Sequence, residues 1–176
     1  MCIRDRTVFA WIMALILHLQ PEEFSSLNIG NITHLILRLI ASFCGVFGFS
    51  IMFNSSIPMA ATTAVIGAIA NTLRLELVDF TAIPAAAAAF IGAVTAGLLA
   101  SFIKKYNGYP RISLTVPSIV IMVPGLYLYR AIYNFGIMSL TEAVSWFTSA
   151  VMIIIALPLG LIFARIITDR TFRYCT

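Results

Sequence analysis

Residues 112–132, ISLTVPSIVIMVPGLYLYRAI, decide how this chain folds. They carry a single charge, Arg130, and as a helix they are long enough to cross the roughly 30 Å hydrocarbon core of a bilayer. The stretch is also built to break. Pro117 and Pro124 each lack an N–H and displace the carbonyl four residues earlier, those of Ser113 and Val120. Seven residues apart, they fall on one helix face, and Gly125 beside Pro124 permits a sharp bend. Backbone left unpaired at membrane depth is tolerated only where protein or a water-filled cavity satisfies it. Two readings fit: an ordinary proline kink, or a broken helix whose half-helix N-terminus points into the membrane and suits a carboxylate.

The rest of the chain places this stretch in lipid. Of 176 residues, 61% are hydrophobic and 10% charged, and the mean hydropathy is +1.00. A soluble domain carries about 25% charged residues because its surface faces water. This chain cannot cover its apolar mass with polar groups, so the expected fold is all-α, a polytopic bundle of about five spans. Four further spans read as 35–53, 57–75, 80–103 and 143–167, so that 112–132 is the fourth of five. Pro58 and Pro84 lie near the starts of spans two and three, where a missing N–H costs little. Arg74, Glu76 and Asp79 mark the expected stop of span two. Residues 8–17 are too short to span and read as a truncated helix. The opening hexapeptide, Met1 to Arg6, reads as a leader foreign to the native coding sequence. The expected division is therefore an N-terminal segment, 1–34, and a transmembrane domain, 35–176.

A net charge of +4 does not point to nucleic acid, because the 11 Lys and Arg sit at helix ends rather than in a tract. They set orientation instead. Lys104, Lys105 and Arg111 bracket the turn after span three, and Arg165, Arg170 and Arg173 follow span five on the same side. Residues 20–33, on the other side, contain neither Lys nor Arg. The positive-inside rule then puts the C-terminus in the cytoplasm of a cell bounded by this membrane. The three cysteines, Cys2, Cys44 and Cys175, offer no zinc spacing and no disulfide framework. His18 and His34 are isolated, and no nucleophile–base or metal spacing suggests an enzyme or a cofactor.

Small residues at four-residue spacing let membrane helices approach closely. Span three repeats them at Ala88, Gly92, Ala96 and Ala100 and span two at Ala60, Ala64 and Ala68, while span one has Ala41, Gly45 and Gly48. These ridges are expected to pack on one another or on a partner. No Asp or Glu falls inside a span, although carriers coupled to protons commonly hold such a group there. Asn71 is the most interior strongly polar side chain, open to two roles: an interhelical hydrogen bond or contact with a substrate.

At this point the residues resemble the threonine/serine exporter family in its small-subunit form. The likeness rests on the Val-Pro-Gly segment 123–125, on Gly48 to Asn54 closing span one before Pro58, on Gly67 to Ala70, and on the alanine run to Gly92. It covers roughly 35–167. Ser118 departs from the family's frequent glycine, Ile121 from a frequent proline, and the linker from Asn54 to Pro58 is longer than usual. The resemblance implies a multi-pass exporter in the bacterial cytoplasmic membrane for small carboxylate-bearing metabolites, either threonine and serine or a dicarboxylate such as succinate. It also implies a larger membrane subunit of the same family as partner. Pro117, Ser118, Pro124, Gly125 and Tyr127 are then expected along the substrate path. Arg130 is expected either to attract an anion at the outer mouth or to anchor at the interface. The rival is a membrane scaffold whose alanine ridges merely dock a partner.

Overall fold

A computed structural model describes residues 31–169 apart from Ala82, together with Ile12, Met13 and Ile16. The expectations for residues 1–6, for most of 8–17, and for Arg170 and Arg173 lie outside the described residues. The described chain forms six helices and no strand: α1 Asn31–Met52, α2 Ile57–Thr81, α3 Ala85–Asn107, α4 Arg111–Val120, α5 Gly125–Gly136 and α6 Leu140–Thr168. Local chemistry sets their limits. After α1, Asn54 adopts a left-handed φ of 58°, a conformation that asparagine accepts more readily than most residues. Gly108, at φ 69°, closes α3 with its N–H on the Lys104 carbonyl. Pro84, Pro110 and Pro124 stand immediately before α3, α4 and α5.

α1, α2, α3 and α6 are each long and apolar enough to cross a membrane, and α4 and α5 qualify together as a pair bent by 43°. The pair runs antiparallel to α6 and crosses as one broken span. At one end Arg111, the first residue of α4, pairs with Asp169 beyond α6 at 3.3 Å. At the other, Tyr127 and Arg130 of α5 meet the ring of Trp146, 23 residues (169 − 146) earlier, about 35 Å along a helix. The chain is thus a multi-pass bundle, as its composition requires.

Two sequence expectations need correction. Span two does not end near Leu75, because α2 continues past Arg74, Glu76 and Asp79 to Thr81, so two carboxylates fall within a span expected to hold none. Glu76 and Asp79 are carried on this last part of the helix by Arg38 of α1, whose guanidinium binds Glu76 at 3.1 Å and also contacts Asp79. Span three begins at Ala85 rather than Phe80, with Pro84 as its cap.

The core lies among α2, α3, α4 and α6, where Ile66, Ala70, Ala93, Leu114, Met122 and Ile153 are buried. Alanine dominates it. With lipid outside as apolar as the interior, close van der Waals contact between backbones, rather than burial from water, holds such helices together. α1 flanks this core against α2 and α4.

Candidate substrate path at the broken helix

The break between α4 and α5 spans residues 121–124. The ten residues of α4 rise about 15 Å from the Arg111 end, which puts the break near the middle of a ~30 Å hydrocarbon layer. Its backbone is only partly satisfied from within. The N–H groups of Met122 and Val123 reach the carbonyls of Ile119 and Val120, at 2.9 and 3.1 Å. That of Gly125 turns back to Val123 at 2.8 Å. α5 starts at Pro124 without a side-chain cap, and the amides of Leu126 and Tyr127 have no backbone acceptor. Pro124 has no N–H and that of Gly125 is used, so two of the three donors at this helix start lack a backbone acceptor.

The Met122 carbonyl is met from an unexpected direction. Arg74 of α2 donates from Nη1 at 3.2 Å, in buried surroundings. Arg74 is the one charged side chain among the described residues that is fully buried, at 9% exposure. It lies seven residues, about 10 Å of helix, before the end of α2. Gly92 of α3 makes the room: a Cβ there would stand 3.2 Å from Arg74 Cβ and 3.3 Å from the Met122 sulfur. Hydropathy reading treats arginine as a boundary, so sequence reasoning missed this residue; the carbonyl that receives it lies 48 positions away.

The other expected path residues divide around the break. Pro124 is buried at its centre, and Gly125 is exposed with nothing within 4 Å of where a Cβ would be. Tyr127 packs on the core and edge-on to Trp146, with ring centroids 5.5 Å apart. Arg130 lies over the same Trp146 ring, 4.7 Å from its centroid. Pro117 and Ser118 are buried within α4, and the Ser118 hydroxyl is spent on the Thr115 carbonyl at 2.7 Å. Asn71 donates from Nδ2 to Ser42 Oγ at 2.8 Å, an α1–α2 hydrogen bond, while its buried Oδ1 has no partner.

Among the residues expected to pack helices, Ala88 and Ala96 are fully buried, and Gly92 touches α2 and the break. A Cβ on Gly45 would meet the Ile121 side chain at 2.8 Å, whereas Gly48 faces open space. The tightest approaches belong to glycines outside that set. Gly67 abuts Val46 and the Ser118 carbonyl, and Gly160 abuts the α3 backbone.

The family described as Threonine/Serine exporter, ThrE matches residues 38–167. The chain belongs to the threonine/serine exporter family. The matched region runs from Arg38 almost to the end of α6 and contains the whole break. Membership in an exporter family makes this a membrane transport protein, in keeping with its apolar spans. Neither the curated proteins nor the solved structures yield a match to this exporter.

Proposed function

We propose that this chain is the small subunit of an exporter for carboxylate-bearing metabolites, threonine and serine or a dicarboxylate such as succinate, and that the α4–α5 break lines the route. The break carries this reading. Its backbone has free amide donors at mid-membrane depth beside the exposed Gly125. Lipid cannot satisfy such groups, so they face either a water-filled path or another protein. Pro124, Gly125, Tyr127 and Asn71 line the path, Pro117 and Ser118 shape its α4 wall, and Arg130 stands toward the outer mouth. A larger family member covers the open side of the break and completes the machine. The C-terminus faces the cytoplasm of a bacterial cell, as Lys104, Arg111 and Arg165 at one end of the bundle favour.

The test is efflux of labelled threonine, serine and succinate from loaded cells, with and without the larger family member encoded nearby. Pro124→Ala is expected to abolish efflux while leaving membrane insertion and partner binding intact. A scaffold would behave in the opposite way, tolerating Pro124→Ala and losing assembly with Gly92→Leu. Undiminished efflux by Pro124→Ala would remove the break from the mechanism.

A further inference from the structure

Arg74 is buried without an ion-pair partner among the described residues. Of the carboxylates among the described residues, Glu76 and Asp79 are held by Arg38, and Asp169 by Arg111 and Arg165. Glu142 lies exposed in the first turn of α6. A guanidinium does not give up its proton, and a buried charge left without a counter-ion is strongly destabilising. Its one hydrogen bond, to the Met122 carbonyl, would be made equally by a neutral donor. Its Nε is enclosed and has no acceptor at all.

Unused donors lie along the chain from the carbonyl that this charge meets. Met122 stands two residues before Pro124, so the guanidinium lies at the approach to the α5 N-terminus. There the uncapped amides of Leu126 and Tyr127 add the partial positive charge of a helix start. A planar anion accepting from Nε would give that enclosed donor a partner, in the fork geometry that guanidinium and carboxylate share.

We infer that Arg74 and the N-terminus of α5 form a carboxylate subsite, which binds the acid group of the transported molecule at mid-membrane. This rests on the exporter reading above, and sharpens it by naming the residue that supplies the charge. Among the described residues no carboxylate pairs with Arg74, although Glu76 and Asp79 lie further along the same helix. A fixed acid beside Arg74 would occupy the place meant for the substrate.

Two measurements on the full chain with its partner decide the matter. Phenylglyoxal, which modifies arginine, is applied to the native protein and Arg74 is followed by peptide mass spectrometry. Saturating L-threonine or succinate is expected to slow its modification about tenfold, whereas L-threoninol and 1,4-butanediol, which lack the acid, leave it unchanged. Equal modification in all four overturns the subsite. So does a complete lack of modification in the free protein, since a guanidinium closed to water serves no route. In efflux, Arg74→Gln is expected to raise KM about tenfold and Arg74→Lys to recover part of the loss. Normal wild-type efflux with an unchanged KM in Arg74→Gln overturns the subsite alone. Absence of efflux of all three labelled compounds from the wild type overturns the exporter reading itself.

Discussion

The α3–α6 seam and the α4–α5 break both press against α3, and they are held by opposite means. At the seam the backbones nearly touch. A Cβ on Gly160 would lie 2.7 Å from the Phe90 carbonyl oxygen and 2.8 Å from Ala93 Cβ, and one on Gly97 would lie 2.6 Å from Ala164 Cβ. Phe90 and Phe163 close the same interface with rings 5.9 Å apart. At the break, by contrast, the Arg74 guanidinium reaches the Met122 carbonyl, its Nε is buried without a partner, and two amides of α5 lack a backbone acceptor. A buried polar group without a partner calls for one. The seam is therefore a closed frame, and the break a polar gap with donors left unpaired.

The largest effect should come from attacking the frame. Gly160→Leu forces a branched side chain into backbone that cannot retreat, at a cost on the order of 3 kcal/mol. We expect it to remove the monodisperse peak in size-exclusion chromatography of the solubilised chain, whatever substrate is present. A well-folded Gly160→Leu protein would show that α3 and α6 are not locked.

A smaller effect tests the polar side. Asn71→Ala and Ser42→Ala each delete the same α1–α2 hydrogen bond, and such bonds in membrane proteins average about 0.6 kcal/mol. Thermal unfolding of the two variants is expected to fall together and slightly. Efflux separates the two roles of Asn71. If its spare oxygen contacts substrate, Asn71→Ala loses transport and Ser42→Ala does not. Equal efflux from both leaves Asn71 a purely structural bond.

The same contrast explains what could be seen in the sequence. The spans, and the break at Pro124 and Gly125, were legible because both follow from local chemistry: apolar length, a missing N–H and a residue without Cβ. The reach of α2 past Arg74 was not. Arg74, Glu76 and Asp79 look like a boundary because charge is costly in lipid, and what compensates it is distant in the chain. Arg38 carries the two acids from the neighbouring helix, and the Met122 carbonyl receives Arg74 only because α4 breaks there. Small-residue spacing likewise marked ridges but not their partners. It singled out Gly48 equally with Gly92, although only Gly92 has a neighbour.

Gly48 gives the smallest effect and the cleanest control for the seam. Nothing lies within 4 Å of the position its Cβ would take, so Gly48→Ala introduces no clash. It also removes the backbone freedom that makes glycine a poor helix former, a gain of up to about 1 kcal/mol in water. Thermal unfolding of Gly48→Ala should match or slightly exceed the wild type. Gly45→Ala should fall between, because the atom it meets is the flexible end of Ile121 rather than backbone. A marked loss of stability at Gly48 would mean that this face of α1 is covered in the folded protein. The small-residue ridge would then be a contact surface in its own right, and the division between a dry seam and an open break would have to include a third region.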